Sequence, residues 1–164
     1  MQELKVSNVI IGKQFEDYEN YKKFKKIVNE KRIKAHVVEA GKKIKIEKDL
    51  YFDVLWPSSD NVISENCINN NSLVGKLVYK DFSMLFTGDI EEIAEKAILQ
   101  KYSDNKKILQ SIILKVAHHG SKSSSIQEFL NVVEPKIALI GVGEKNTFGH
   151  PNEGVLERLK RIWK

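Results

Sequence analysis

Two adjacent histidines at the end of an apolar run are the residues of this sequence best suited to chemistry. They are His118 and His119 in the segment KVAHHGSKSSS, residues 115–125, and the 164-residue chain contains two other histidines. Imidazole acts as a general acid or base near neutral pH and is a common metal ligand. One histidine of such a pair can face a site while the other donates to a carbonyl or a carboxylate. The pair therefore predicts a catalytic or metal-binding position at His118 and His119.

Two further polar residues follow apolar runs in the same way. Asp89 follows FSMLFTG, and His150 follows KIALIGVGEKNTFG through a loop. If the strands are neighbours in a sheet, Asp89, His119 and His150 meet at one edge, where a carboxylate and imidazoles can bind a transition metal. A structural interpretation is also open, in which Asp89 after Gly88 caps the next helix and His150 is an ordinary loop residue.

Four serines follow the histidine pair closely in the sequence and suggest a phosphate site. Gly120, Ser121, Lys122 and the serines at 123–125 precede a predicted helix, and N–H groups at a helix N-terminus attract anions. We therefore assign Gly120, Ser121 and Lys122 to phosphate or nucleic-acid binding, with plain helix capping as the alternative. A Ser121 nucleophile beside a histidine base is a further alternative, although HHGS differs from the nucleophile elbow GxSxG.

Hydrophobic periodicity predicts the elements that must position these residues. Strand patterns cover 4–11, 35–40, 42–47, 50–57, 111–119 and 136–143, the last one as a strand buried on both faces, and a hairpin over 72–89 turns at Lys80 and Asp81. Helical patterns cover 17–31, a segment from Ile90 with Glu91 in its first turn, 123–135 with a serine cap, and 150–163. Strands followed by alternating helices and strands predict an α/β or α+β sandwich.

Composition indicates a soluble globular protein. Hydrophobic residues make up 41% and charged residues 30% of the chain, no apolar run approaches the roughly 20 residues that span a bilayer, and the first residues lack a signal-peptide pattern. The single cysteine, Cys67, excludes an intrachain disulfide and a cysteine-based zinc cluster.

The net charge is +5, and residues 20–34 hold seven Lys and Arg. This basic segment is either a solvated helix face or a surface that attracts phosphate backbones.

Three segments together resemble the metallo-β-lactamase-like domain of ComEC-type DNA-internalisation competence proteins. They are NNNSLVGKLVYKDFSMLFTGDIEE, ILKVAHHGSKSSS and NTFGHPNEGVLERL, and their order and spacing match that family. The resemblance implies a partial metallo-β-lactamase-like αββα sandwich with a divalent metal, Zn or Mn, at the sheet edges. It implies that Asp89 bridges two metals and that His119 and His150 are metal ligands or phosphate-binding histidines. Asn71 and Ser72 lie where the family has a loop that faces the site, and the resemblance therefore adds them to the residues expected to bind phosphate or nucleic acid.

The sequence departs from this family at one motif. The early HxHxDH-like motif, often HPDADH in the ComEC type, does not occur, and His36 stands alone in a strand pattern. We therefore expect residues 1–164 to be a single truncated domain: a cut fragment, the product of a shortened gene, or half of a split protein whose N-terminal half acts in cis or in trans. With so few ligands, the chain alone is expected to bind metal weakly or not at all.

Two classes of function are open. The first is a metal-dependent phosphodiesterase or nuclease of DNA uptake, in which His119, Ser121 or His150 steadies the phosphate or protonates the leaving oxygen; the isolated chain is then expected to be inactive. The alternative is a non-catalytic nucleic-acid-binding module, and a third interpretation keeps the hydrolase but gives it a small ester or phosphodiester. In the family this domain is attached to a membrane protein.

Overall fold

The computed structural model describes residues 5–13 and 19–163. The strands are β1 Asn8–Gly12, β2 Lys34–Val38, β3 Lys43–Glu47, β4 Leu50–Trp56, β5 Val74–Tyr79, β6 Phe82–Phe86, β7 Ile113–Lys115 and β8 Ile137–Leu139. The helices are α1 Glu19–Glu30, α2 Cys67–Asn70, α3 Glu92–Lys101, α4 Gln127–Val133 and α5 Glu153–Ile162. The parts of the predicted first strand and first helix that fall on residue 4 and residues 17–18 lie outside the described residues.

A six-stranded mixed sheet carries the strand ends that the sequence singled out. Its order is β3-β4-β5-β6-β7-β8, and β1 and β2 form a separate parallel pair. β3 to β6 pair antiparallel, and the predicted β5–β6 hairpin is confirmed. β6, β7 and β8 pair parallel, so their carboxyl ends meet at one edge. The predicted α/β fold class is therefore confirmed.

The main hydrophobic core lies between this sheet and helices α3, α4 and α5. Its sheet residues include Leu85 and Leu114, and its helix residues include Ile98, Phe129 and Val155, all with almost no exposed surface. Helix α1 has one buried residue, Val28, which is not part of this core, and its Ile27 is exposed. Among the described helices, none is long and apolar enough to cross a membrane.

Two predicted strands are shorter than expected. β7 ends at Lys115, because His118 and His119 beyond it both have positive φ angles, 46° and 56°, which cannot continue an extended ladder. β8 spans three residues, with Ile137 and Leu139 exposed. The prediction of a strand buried on both faces is wrong, because β8 is the last strand of the six-stranded sheet.

The predicted serine cap is also wrong. Helix α4 begins at Gln127, and its N-cap position is Ile126, with no side-chain cap. The N–H groups of Ser125 and Ile126 instead donate to the carboxylate of Glu95 at 2.6 and 2.8 Å. A buried acid from α3 thus accepts the hydrogen bonds for which a serine hydroxyl was expected.

Candidate functional site

Asp89 lies directly beyond β6, in a turn that two neighbouring segments hold in place. Gly88 has a φ of 57°, and a Cβ atom built on it would come within 2.6 Å of the Cβ of Ser72, so glycine is required there. The backbone N–H of Asp89 donates to Ser72 Oγ at 3.2 Å. The N–H of His118 donates to the carbonyl of Gly88 at 3.0 Å. Backbone and hydroxyl contacts therefore bring Ser72, Asp89 and the histidine pair together.

Three consecutive residues with positive φ form the turn that carries the histidines. Their φ angles are 46° at His118, 56° at His119 and 79° at Gly120. A Cβ atom on Gly120 would lie 2.8 Å from the Cβ of Pro151, and Asn152 N–H donates to the Gly120 carbonyl at 2.8 Å. Left-handed conformations at non-glycine residues store strain and cluster at functional sites. The turn is thus held against the GHPN segment in a conformation that the local sequence would not favour.

His119 has the geometry of an oriented imidazole. Its Nδ1 lies 2.6 Å from the carbonyl oxygen of Gly141, and because a carbonyl can only accept, Nδ1 carries the proton. Its Nε2 lies 3.6 Å from Asp89 Oδ1, and both side chains are about half exposed. In the neutral imidazole an Nε2 lone pair therefore faces a carboxylate. The lone pair and the carboxylate repel each other, and a proton or another positively charged group between the two atoms removes this repulsion.

His118 and His150 lie deeper than His119 and contact each other edge to face. Their ring centroids are 5.9 Å apart, and the ring of Phe148 stacks on His150 at the same distance. The Nδ1 atoms of both histidines are buried and have no hydrogen-bond partner among the described residues, although His118 Nδ1 lies 3.5 Å from Glu91 Oε1. Buried polar atoms of this kind are uncommon and call for a functional explanation.

Glu91 is a site residue that sequence reasoning assigned only to the first turn of a helix. It occupies the N-cap position of α3, and its carboxylate accepts hydrogen bonds from Asn66 at 3.0 Å and Ser123 at 2.9 Å. Burial opposes its ionisation, but these hydrogen bonds and the His118 imidazole hold the pKa of Glu91 below its usual value. The carboxylate is therefore ionised beside His118. The sequence feature that could have identified Glu91 is its position as the second acid of TGDIEE, two residues after Asp89.

Lys115 is a second residue of the site that sequence patterns placed only within a strand. Its ammonium group donates to the carbonyl of Val116 at 2.8 Å. Burial lowers the pKa of Lys115, and the negative charge of Asp89 opposes that shift. The available signal was a lysine within an otherwise apolar run that ends at the histidines. The structure thus adds a cationic group to the electrostatic surroundings of Asp89.

The residues assigned to phosphate binding have different surroundings. Ser121 is buried, with its hydroxyl 3.0 Å from the hydroxyl of Ser123, whereas Lys122 is exposed. Asn71 is buried, and its amide donates to the carbonyls of Ile63 and Cys67 at 2.8 and 2.7 Å. The Asn71 side chain therefore stabilises the loop before β5. Its role in phosphate binding, like those of Ser72, Gly120, Ser121 and Lys122, stays a prediction.

Within the described residues, the candidate ligands do not form a complete set for a metal ion. Asp89 and His119 approach each other, but across residues 5–13 and 19–163 no group of three or more His, Cys, Asp or Glu side chains is suited to hold a metal ion. Catalytic zinc sites use three protein ligands. The donor set implied by the resemblance is therefore incomplete within the described residues.

No family model matches the chain. The chain is 33% identical over 157 residues to ComE operon protein 3 of Bacillus subtilis (strain 168), a match that covers 96% of this chain and 19% of that protein. It is 36% identical over 109 residues to the competence protein ComA of Neisseria gonorrhoeae, covering 66% of this chain and 15% of that protein. It is 33% identical over 112 residues to recombination protein 2 of Haemophilus influenzae, covering 68% of this chain and 13% of that protein.

These alignments relate the chain to a part of each relative. The chain spans about a fifth of the length of ComE operon protein 3, and less of the other two proteins. The matches support the ComEC-type resemblance of the motifs, whereas the metallo-β-lactamase-like domain remains an expectation from those motifs. The chain is similar to a segment shared by bacterial competence proteins.

Proposed function

We propose that this chain serves DNA uptake and that its polar sheet edge binds the phosphodiester backbone of DNA. The observation that carries the proposal is the orientation of His119, with Nδ1 bonded to Gly141 and Nε2 directed at Asp89. The similarity to proteins named for competence supports the DNA-uptake context.

Each residue at the edge has a part in this proposal. His119, when doubly protonated, donates through Nε2 to a phosphate oxygen, in the charge-assisted kind of hydrogen bond that anions favour. Asp89 orients the imidazole and disfavours a second anion unless positive charge is present. His118, held beside the ionised Glu91, adds a second imidazole, and exposed Lys122 adds a positive charge in the segment that follows. Phosphodiester binding therefore needs the protonated form of His119 or an added cation.

We further propose that hydrolysis of the phosphodiester requires metal ligands from outside this chain. Two oriented donors, Asp89 and His119, are fewer than the three that a catalytic zinc needs. When bound in a complete site, a divalent cation activates water and neutralises the phosphate. Within that site the residues of this chain would hold and orient the phosphate, and His150, or His119 if it does not bind the metal, would deliver a proton to the leaving oxygen.

Binding without catalysis is the second candidate function. It is favoured by the incomplete donor set and by the excess of basic residues. In that case the same edge and the basic segment contact DNA, and no bond is broken. The two candidates share their binding residues, so cleavage assays separate them.

The binding part is tested by fluorescence anisotropy with a labelled single-stranded oligonucleotide. We expect His119→Ala to weaken binding about tenfold, the loss expected for a charge-assisted hydrogen bond. His36→Ala is the matched control, since His36 lies on β2 and contacts Asn8 at 3.0 Å. Equal affinities of the two variants would contradict the proposal.

The hydrolytic part is tested with manganese and zinc. We expect residues 1–164 alone to show no measurable nuclease turnover and only weak metal binding by calorimetry. A longer protein that adds further metal ligands, in cis or as a second chain, should cleave DNA and lose cleavage on Asp89→Asn. Robust metal-dependent cleavage by the isolated chain would refute the requirement for outside ligands. A longer protein that cleaves small esters but never DNA would refute the substrate.

A further inference from the structure

A largely apolar pocket opens beside His119. Its volume is about 420 Å³, and it is lined by His119, His150, Phe148 and the loop residues Gly141, Val142, Gly143 and Asn146. Pockets that bind small organic groups have volumes of roughly 300–1,000 Å³. The pocket is therefore large enough for a nucleoside-sized group, and it shares two imidazoles with the edge assigned to the phosphate.

Phe148 is the feature of this pocket that needs an explanation. Its side chain is 80% exposed, although an aromatic ring gains free energy when it leaves water. The ring lies nearly parallel to that of His150, with centroids 5.9 Å apart and an interplanar angle of 21°. One face of the ring is thus supported by an imidazole. This arrangement is a stacking platform held out into solvent.

The loop that carries Phe148 is held in place by its own side chains. The amide nitrogen of Asn146 donates to the carbonyls of Gly143 and His150 at 3.1 and 2.8 Å. The N–H of His150 donates to Asn146 Oδ1 at 3.0 Å. Because the Asn146 amide is engaged in these bonds, it orients the platform rather than reading the edge of a ligand.

We propose that this pocket binds one nucleobase of single-stranded DNA, stacked on Phe148, while the adjacent phosphate lies at His119 and Asp89. The proposal rests on the proposed function, because it needs a phosphodiester at that edge. Every base has a π-face, so stacking on an aromatic ring tolerates any sequence. Bases of a duplex are already stacked and paired, so the pocket selects single strands. The two imidazoles that line the pocket can donate hydrogen bonds to the phosphate groups that flank the base. An apolar segment of a protein partner has no such anionic groups.

The test uses the chain 1–164 and short labelled oligonucleotides of equal phosphate number: oligothymidylate, an abasic strand and a duplex. The wild type should bind oligothymidylate more tightly than the abasic strand or the duplex. Phe148→Ala should weaken binding of oligothymidylate about fivefold or more, the loss typical of one stacked base, and should leave binding of the abasic strand unchanged. Phe148→Trp should retain binding, and Phe148→Leu should behave like the alanine variant.

The control variant is Phe82→Ala, which removes a second exposed phenylalanine at the opposite end of β6 from Asp89. If the Phe148 variants bind every strand with the affinity of the wild type, the base pocket is overturned and the proposed function stays intact. Absence of any DNA binding by the wild type would overturn both. A Phe148→Ala variant with normal DNA binding but an altered oligomeric state in light scattering would assign the pocket to a protein contact, and would also overturn the proposal.

Discussion

At the scale of single residues, the candidate site depends on main-chain conformations that are unfavourable for residues other than glycine. His118 and His119 take left-handed conformations that cost about 1–2 kcal/mol each for ordinary residues. Gly120 follows them, and a Cβ atom at this position would clash with Pro151. Strain of this kind persists only where the surroundings enforce it, so the turn is best explained by the positions that it gives to the two imidazoles.

A glycine substitution tests how tightly this turn is held. Gly120→Ala should lower the free energy of unfolding by at least about 2 kcal/mol, since it adds a clash to the cost of a left-handed alanine. Gly149→Ala is the matched control, because Gly149 also has a positive φ, 70°, but a Cβ there meets nothing within 4 Å. Its cost should stay near about 1 kcal/mol. Equal losses in urea denaturation would show that the contact with Pro151 is not rigid.

The charge of Asp89 gives a second prediction at this scale. Without divalent metal, Asp89→Asn should strengthen binding of single-stranded DNA, because it removes a half-exposed negative charge from the phosphate site. The gain should be at most about fivefold, the value of a screened charge interaction. Asp81→Asn makes the same charge change in the β5–β6 turn and should have no effect. Weaker binding of the Asp89 variant, measured by anisotropy under these metal-free conditions, would contradict this prediction and show that the carboxylate supports the DNA contact of His119.

At the scale of elements, a buried acid of α3 and an arginine of α5 hold the segment that precedes α4. Glu95 of α3 accepts the N–H groups of Ser125 and Ile126, while Arg158 of α5 donates to the carbonyls of Ser124 and Ser125 at 2.9 and 2.7 Å. The segment between the histidine turn and α4 is therefore held from both sides. Burial raises the pKa of Glu95 to about 7, against the opposing effect of the two N–H donors.

This pKa predicts a pH dependence of stability. A folded-state pKa near 7, above the ordinary 4.5, means that the folded protein binds the proton more tightly. The associated stability is fully present below pH 4.5 and is lost as the pH rises through 7. We expect the free energy of unfolding to fall by roughly 2–3 kcal/mol between about pH 5 and pH 8. Urea titrations at several pH values measure this change.

The variants for this experiment lie on the same helix. Glu95→Gln should flatten the profile over this pH range. Glu92→Gln should not, because Glu92 is exposed and paired with Lys96 at 2.5 Å. Stability of the wild type that stays constant or rises with pH would show that the N–H donors outweigh burial and keep Glu95 ionised.

At the scale of the whole molecule, the proposed DNA binding depends on the distribution of charge. The net charge is +5, and residues 20–34 contain seven Lys and Arg. Helix α1, which carries part of this segment, buries one residue, Val28. A solvated helix with this composition is a suitable surface for a polyanion, and it lies outside the main core, so that its charges can be changed without loss of the fold.

Replacing basic residues on α1 should alter the salt dependence of DNA binding. The triple variant Lys22→Gln, Lys23→Gln and Lys26→Gln should reduce the slope of log affinity against log salt by up to about 2, because single strands release roughly 0.7 counterion per phosphate contact. The control triple variant changes Lys48, Lys106 and Lys107, which are exposed elsewhere. Equal slopes for both triples, measured by anisotropy, would show that α1 is merely a solvated face.

The sequence by itself determined which polar residues follow the apolar strands. Parallel strands place their carboxyl ends at one edge whatever the loops do, so Asp89, His119 and His150 could be predicted to gather there. The positive-φ glycines were likewise present as TGD and HHG, although their steric reason was not visible in the sequence.

Tertiary structure alone decided the orientation of these groups and the choice of their partners. The hydrogen bond from His119 to Gly141 spans 22 residues, and the contacts of Glu91 with Asn66 and of Glu95 with Ile126 span 25 and 31. No local pattern encodes such pairs, because they depend on how the loops pack over the sheet. The expected serine cap failed for the same reason: a distant carboxylate that is already buried accepts the N–H groups at no further loss of side-chain entropy.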